Sequence, residues 1–469
     1  MRKASMKITF IHPASGKLEL AENNYLVTGA YLPPLGILYL AKMLELKGHS
    51  VNVIDCNAAK ITKNQIKKAA LTSDVIGMTV YSQPLELNNS IMLSQIVKST
   101  NPDMPLVIGG PHSSLLPKKT LQDLKADVCV KGSGENVINP IINALQQKKS
   151  LASIPGICYR KGTSVKDTGP EREIHNLDTI PFPSRHLVDK YEYGYMLGKK
   201  MGMGKVTSLT SSRGCVYRCR FCNLHAHLPH WSHRSIENIC REIDEIAAQG
   251  YDTLVFVDDN FMVDTKRVAA IMDYIIKNKI NLRFWIFGAR ADSGERKLYE
   301  KMRDAGVELI NFGLESGNQK VLNYYNKNLK LEDVRKTINL SKEMGFFISS
   351  TFIIGSPVET KQTIFDTINF AKSLTIDAAI FYLYTYTYKS QIWEEAVKDD
   401  LIKSDEYRVL PDSKRGLGNF TTDELMDLVV EANKCFYLNP KRWFREIKWA
   451  IMYRKLWYLK LGIRLLPHR

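Results

Sequence analysis

The chain has 469 residues, 44% of them hydrophobic, with 65 basic against 49 acidic side chains and a formal charge of +16. Such a length holds about two to four domains with ample buried core, and the ordinary apolar and charged fractions exclude disorder, collagen and a simple coiled coil. No apolar run approaches the ~20 residues that cross a bilayer as a helix, and Met1-Arg2-Lys3-Ala4-Ser5-Met6-Lys7 leads into a strand-like run rather than a signal-peptide core. A cytoplasmic protein is expected.

Residues 7–150 alternate short β-rich apolar runs (7–13, 51–56, 75–81, 105–110, 127–132) with helix-length segments near 34–47, 62–71, 85–99, 117–124 and 134–147. Apolar runs separated by helices predict a parallel sheet covered on both faces. The fold class is therefore α/β, beginning with a five-stranded doubly wound (Rossmann-like) domain over 1–150, its ligands expected beyond the carboxyl ends of the strands. Glycines stand at those ends, in Gly109-Gly110-Pro111-His112 and Gly132-Ser133-Gly134-Glu135. Residues 151–206, rich in Pro, Gly and charge around Ile180-Pro181-Phe182-Pro183, read as an extended linker.

The βα rhythm resumes with strands at 207–213, 253–259, 283–289, 307–315, 346–355 and 378–387, separated by helices such as 236–249 and 331–344. Six repeats fall short of an eight-fold barrel, so a partial (β/α)6 TIM-type barrel is predicted over 207–390. Residues 391–469 form a helical carboxyl-terminal region with a basic amphipathic tail, and 441–469 alone hold nine Lys/Arg against one Glu.

Three of the eight cysteines lie close together in Cys215-Val-Tyr-Arg-Cys219-Arg-Phe-Cys222, after a strand and the turn Ser211-Ser212-Arg213-Gly214. The other five (Cys56, Cys129, Cys158, Cys240, Cys435) read as buried small hydrophobes. Three thiolates cannot close a tetrahedral zinc site alone, but they can hold three irons of a 4Fe-4S cluster and leave the fourth open. The residues leave both readings standing, since His225, His227 or His230 would complete a zinc site.

The spacing, with Phe221 before the third cysteine and Asn223 after it, resembles the radical S-adenosylmethionine (radical SAM) superfamily. The resemblance continues through Arg234-Ser235-Ile236-Glu237-Asn238-Ile239, Phe256-Val257-Asp258-Asp259-Asn260-Phe261, Ala289-Arg290-Ala291-Asp292, Gly313-Leu314-Glu315-Ser316-Gly317 and Phe352-Ile353-Ile354-Gly355-Ser356-Pro357. It implies a 4Fe-4S cluster on Cys215, Cys219 and Cys222, with S-adenosylmethionine bound by Asp258, Asp259, Arg290, Glu315, Ser316 and Gly355. The implied chemistry is one-electron cleavage of S-adenosylmethionine to a 5′-deoxyadenosyl radical, fed by a donor such as ferredoxin or flavodoxin. Blander roles compete: Asp258 and Asp259 as helix caps, and Gly355 as a turn residue.

Leu32-Pro33-Pro34-Leu35-Gly36-Ile37, Gly48-His49, Val53-Ile54-Asp55 and the two glycine runs resemble the cobalamin-binding domain of cobalamin-dependent radical enzymes, as does the linker Leu177-Asp178-Thr179-Ile180-Pro181-Phe182-Pro183-Ser184-Arg185-His186-Leu187. This implies cobalamin at Asp55, Gly109, Gly110, Gly132 and Glu135. One departure is that the Asp-x-His-x-x-Gly run that places a histidine beneath cobalt is replaced by Asp55-Cys56-Asn57-Ala58-Ala59-Lys60. His12 and His112, at strand ends near the crevice, read as polar loop residues rather than cobalt ligands. A second departure is Tyr384-Thr385-Tyr386-Thr387-Tyr388-Lys389-Ser390 where relatives commonly carry Pro-Gly-Thr.

His225, His227, His230 and His233 read as a solvated loop more readily than as proton carriers. The tail, with Trp443, Trp449 and Trp457 among basic residues, fits a helix at a membrane interface, on the inner face of the membrane; docking on the barrel is the next reading, and nucleic acid is not expected as a partner. Together these features predict a cobalamin-dependent radical SAM enzyme that methylates an unactivated carbon of a small-molecule, hydrophobic (lipid- or isoprenoid-like) substrate. The alternatives are a cobalamin-free radical cyclase, oxidase or coupling enzyme, and a zinc- or RNA-binding protein. No general acid or base is assigned.

Overall fold

The computed structural model describes residues 5–15, 31–59, 61–171, 174–196, 199–200 and 204–452, and it divides into two compact units, Met1–Ser208 and Leu209–Arg469. In the first, β1 (Lys7–His12), α1 (Leu35–Glu45), β2 (Ser50–Asp55), α2 (Lys63–Thr72), β3 (Val75–Thr79), α3 (Pro84–Thr100), β4 (Leu106–Gly109), α4 (Pro111–Leu115), α5 (Pro117–Asp123), β5 (Val128–Val130) and α6 (Ile138–Gln146) alternate as the apolar pattern predicts. The short α4 was not visible in that pattern. Strands β2-β1-β3-β4-β5 pair in that order and in parallel, each buried by apolar side chains such as Phe10, Val53, Ile76 and Ile108. The chain crosses from β2 on one side of β1 to β3 on the other, so the winding reverses there and a crevice opens at the carboxyl ends of β1 and β3.

The expected linker is largely built structure. β6 (Ile157–Lys161) extends the first sheet antiparallel to β5, because buried Ile157, Cys158 and Tyr159 complete its edge, and β7 (Ser164–Asp167) pairs antiparallel to β6. Further along, Ser184 N donates to Leu38 O at 3.1 Å, and His186 Nε2 lies 3.0 Å from Glu45 Oε1, which ties the segment to α1. Buried Arg185 donates to Thr207 Oγ1 at 3.1 Å and Ser208 O at 2.8 Å. Two-residue strands β8 (Tyr195–Met196) and β9 (Lys199–Lys200) pair antiparallel.

The second unit runs β10 (Val206–Leu209), β11 (Ser212–Arg213), β12 (Ser232–His233), α7 (Ile236–Ala248), β13 (Thr253–Phe256), α8 (Thr265–Lys277), β14 (Arg283–Ala289), α9 (Arg296–Asp304), β15 (Val307–Glu315), α10 (Gln319–Tyr324), α11 (Leu331–Glu343), β16 (Phe347–Ile354), α12 (Lys361–Ser373) and β17 (Ala378–Leu383). It continues with β18 (Tyr386–Thr387), α13 (Gln391–Lys398), β19 (Arg408–Val409), α14 (Thr422–Tyr437) and α15 (Pro440–Met452). The six-stranded sheet has the order β10-β13-β14-β15-β16-β17, parallel from β13 onward, as a partial βα barrel requires. Phe256, Phe284, Ile310 and Ile348 from its strands pack with Ile243, Ile271 and Ile338 from the helices.

Two expected strands are interrupted. The 207–213 run stops at Leu209 because Arg234 Nη1 takes the Thr210 carbonyl (3.1 Å) and Arg267 Nη2 the Ser211 carbonyl (2.6 Å), before β11 turns away to pair with β12. The 378–387 run stops at Leu383, and β18 pairs with β19 instead. In place of Pro-Gly-Thr, Lys389 takes the left-handed turn conformation (φ 65°) and Ser390 caps α13, accepting from Trp393 N at 3.3 Å.

Candidate functional site

The cysteine loop leaves the sheet at the carboxyl end of β10. Cys215, Cys219 and Cys222 are partly buried, carry free thiols and lie close enough to act on one another electrostatically. Burial pushes the Cys222 thiol up to about 11 and raises that of Cys219, which Lys327 and Arg290 partly offset. Phe221 stacks edge-on against Tyr325 with ring centroids 5.0 Å apart, and Arg220 N donates to Tyr325 O at 2.9 Å. His225 is occupied, its Nε2 lying 2.6 Å from Tyr217 O. Among the described residues no three His, Cys, Asp or Glu side chains converge on a single metal ion. The three thiols are thus gathered on one loop.

Two carboxylates at the end of β13 hold the root of this loop. Asp258, fully buried, accepts Ser211 Oγ at 2.7 Å, Ser212 Oγ at 2.5 Å and Ser211 N at 3.2 Å. Desolvation raises its pKa against the pull of these donors. Asp259 accepts Gly214 N at 2.8 Å. Neither caps the next helix, since Asp264 does that for α8. Asp258, expected to meet S-adenosylmethionine, is instead enclosed by the turn before Cys215 and acts through it. Ser211 and Ser212, which sequence reasoning treated only as a turn, are its partners. Gly288 was also missed: at φ 76° in β14, its Cβ position would lie 2.3 Å from Asp258 O.

Arg290 follows β14. Its guanidinium pairs with Asp292 (2.8 Å), donates to Lys327 O (2.7 Å) and lies 3.6 Å from the centre of the Tyr217 ring, while its buried Nη1 has no hydrogen-bond partner among the described residues. Glu315 ends β15 in a left-handed conformation (φ 67°) beside a register shift, and buried Lys327 reaches it at 2.9 Å. Such buried pairs are costly to break, about 3–5 kcal/mol when one partner is lost, and strain of this kind gathers at functional sites. Lys327 stood in Asn326-Lys327-Asn328 with no spacing signal to mark it. Ser316 Oγ faces Thr367 Oγ1 (3.0 Å) and accepts Asn318 N (3.1 Å), so it shapes the turn.

Gly355 follows β16, and its N–H and that of Ser356 donate to Glu359 Oε2 at 2.7 and 2.8 Å. Among the described residues, buried Glu359 Oε1, Ser356 Oγ, Tyr325 OH and Tyr384 OH make no well-formed hydrogen bond, although Ser356 lies close enough to Glu359 and Tyr325 to favour their ionised forms. Burial lifts Glu359 from 4.5 to about 7. Between these values the folded chain keeps a proton that the unfolded chain releases, so stability falls as pH rises through the window, by roughly 3 kcal/mol in all. Glu359→Gln preserves the acceptor oxygen and removes the titration. Denaturant midpoints at pH 5 and pH 8 should therefore differ less in the variant than in the wild type; equal differences would contradict this.

In the first unit, Asp55 ends β2 fully buried and accepts Tyr193 OH (2.9 Å) and Asn57 N (2.9 Å), with His12 Nδ1 3.0 Å away. Gly109 ends β4, and Gly110 begins α4. Gly132 follows β5, its N–H donating to Ser114 Oγ at 2.9 Å, and Glu135 is buried in the turn Gly134–Asn136. These positions share the carboxyl edge of the sheet, where the doubly wound fold binds ligands.

The family model for the Radical SAM superfamily matches residues 209–371, and that for the B12 binding domain matches residues 25–141. The chain is a radical SAM enzyme with an amino-terminal B12-binding domain. An uncharacterized methyltransferase of Pyrococcus horikoshii is 29% identical over 90% of this chain and 91% of its own. The anaerobic magnesium-protoporphyrin IX monomethyl ester cyclase of Rubrivivax gelatinosus is 26% identical over 92% of this chain and 78% of its own. The fold matches that of the cobalamin-dependent S-adenosylmethionine radical enzyme OxsB, solved with aqua-cobalamin and S-adenosylmethionine, at a TM-score of 0.70 and 19% identity over 97% of this chain and 72% of that one.

The radical SAM site suits its family's cofactors. Three free, partly buried thiols on one loop are the donor set for three irons of a 4Fe-4S cube. The unpartnered Arg290 Nη1 is a donor suited to a carboxylate.

Proposed function

We propose that this enzyme methylates an unactivated carbon of a hydrophobic, lipid- or isoprenoid-like molecule with the help of cobalamin. The observation that supports it most is the Cys215–Cys219–Cys222 loop, clamped by Asp258 and Asp259, in a chain that also carries a B12-binding domain. A bound 4Fe-4S cluster, S-adenosylmethionine and cobalamin would supply one-electron cleavage of a sulfonium and a transferable methyl group. The three cysteines hold the cluster. Asp258 and Asp259 keep the loop in place, the latter through Gly214.

Arg290 offers Nη1 to the methionine carboxylate, Glu315 offers its second oxygen to the ribose while Lys327 fixes the first, and Gly355 and Ser316 shape the nucleoside side. Gly109, Gly110, Gly132 and Glu135 border the cobalamin crevice, and Asp55 acts through its neighbours. A ferredoxin or flavodoxin supplies the electron, as radical SAM enzymes draw on an external donor.

The hydrophobic substrate and a peripheral membrane contact rest on α15, which exposes Phe444, Ile447 and Ile451 beside Lys441 and Lys448. Among the described residues no helix is long and apolar enough to cross a membrane, and residues 453–469 of the predicted tail lie outside the described ones. A second reading, radical cyclisation, is favoured by the likeness to the Rubrivivax cyclase. Anaerobic incubation with reductant, S-adenosylmethionine and cobalamin, supplied with an isoprenoid lipid extract, separates the two. Cobalamin-dependent formation of both 5′-deoxyadenosine and S-adenosylhomocysteine is the expected result. The first product alone would replace methylation with cyclisation or another radical outcome.

A further inference from the structure

The Asp-x-His-x-x-Gly run is missing from this sequence, but the structure assembles an aspartate–histidine pair from two strands. His12 is the last residue of β1 and Asp55 the last of β2, directly across the parallel register. Asp55 accepts Tyr193 OH, Asn57 N and His12 Nδ1 within 3.0 Å, so the carboxylate is fixed by three donors and has no freedom to rotate. Tyr191 OH braces the same strand end, donating to Val53 O at 3.2 Å.

A carboxylate only accepts hydrogen bonds, so the proton of a neutral His12 ring sits on Nδ1 and the lone pair on Nε2. Among the described residues the acceptor facing the ring is Asp55 Oδ1, 3.0 Å from Nδ1, while the Asn57 Nδ2 donor stands farther from the same nitrogen at 3.3 Å. The side chain keeps 12% of its surface open. Tyr81, beyond β3, meets the ring edge-on at 5.9 Å, and Glu86 at the start of α3 is close enough to feel its charge. His12 therefore stands at the point where the winding reverses, between β2 on one side and β3–α3 on the other. That is where this fold receives ligands.

An imidazole whose far nitrogen is locked by a buried carboxylate is the arrangement that metal-binding histidines adopt, since it sets the tautomer and raises basicity. We infer that His12, oriented by Asp55, is the protein ligand to cobalt on the lower face of cobalamin. This rests on the proposal that cobalamin binds. The histidine that the sequence lacks after Asp55 is supplied by the neighbouring strand.

The test is low-temperature electron paramagnetic resonance of the full chain loaded anaerobically with cob(II)alamin, with and without nitrogen-15 histidine. Histidine ligation is expected to split the cobalt lines into triplets that become doublets on labelling. His12→Gln, which still donates to Asp55 and so spares the fold, should retain the corrinoid through gel filtration while losing that histidine coupling. His112→Ala should keep it. Corrinoid retained with no splitting, with splitting unchanged by the label, or with label-sensitive splitting that survives in His12→Gln would overturn the assignment alone. Failure of the wild-type chain to retain any corrinoid would instead overturn the cobalamin reading, and this inference with it.

Discussion

Gly214→Ala is expected to lower the stability of the radical SAM unit by about 2–4 kcal/mol and to leave the cysteine loop unable to keep iron. Gly214 has φ 83°, and a Cβ there would lie 2.3 Å from His230 O, a backbone atom that cannot swing aside. Its N–H also donates to Asp259 at 2.8 Å, one position before Cys215. Any shift that relieves the clash therefore moves the first ligand and loosens the hydrogen bond to Asp259. Gly250→Ala is the control: it has a similar φ of 73° but open space around the Cβ position. It should cost only the conformational strain, about 1 kcal/mol, and spare iron binding. Chemical denaturation, with iron and sulfide counted per chain after anaerobic reconstitution, compares the two. If both variants behave alike, crowding at Gly214 is not what holds the loop.

Phe444→Asp with Ile447→Asp is expected to abolish flotation of the protein with anionic phospholipid vesicles. In α15 the polar and apolar roles are the reverse of a helix lying on water. Buried Arg442 donates to Asp377 O, Arg445 donates to Leu374 O and Ile376 O at 3.0 Å each, and Lys342 lies 4.1 Å from the centre of the Trp449 ring. Burial beside Asp377 lifts Glu446 to about 8. Outward stand Phe444, Ile447 and Ile451, with exposures of 76%, 46% and 65%, at the three- and four-residue spacing of one helix face. Inserting a large apolar side chain into the interface is worth about 1–2 kcal/mol, and an inserted carboxylate opposes entry. Losing two anchors should thus weaken partition by roughly a hundredfold or more. Lys441→Ala with Lys448→Ala should reduce flotation far less. Unchanged flotation of the aspartate variant would remove the support for a membrane contact and, with it, for a lipid-like substrate.

Much of the fold was legible before any coordinates. The strand at 283–289 and that at 307–315 end where the apolar runs end, and the first five strands fall within two residues of their runs. Such runs are local: burial on both faces of a parallel sheet demands unbroken apolar stretches, and helices between them fill the gaps. The 151–206 stretch misled because its Pro and Gly content hid Ile157-Cys158-Tyr159, which pairs only when β5 offers an edge. The left-handed conformation of Lys389 likewise left no mark in the sequence, since lysine carries no preference for it.

The sequence by itself determined the chemistry class, because three thiols within eight residues must share a loop whatever the rest of the chain does. It also determined the order of the two βα domains. Tertiary structure alone decided which polar groups meet: Asp258 with the turn of Ser211 and Ser212, Glu315 with Lys327, His12 with Asp55 across 43 residues, and Arg442 and Arg445 of α15 with the carbonyls of Asp377, Leu374 and Ile376. The physical reason is that spacing along a chain dictates periodic burial. The partner of a buried charge is chosen by whichever strand end the fold delivers within about 3 Å of it.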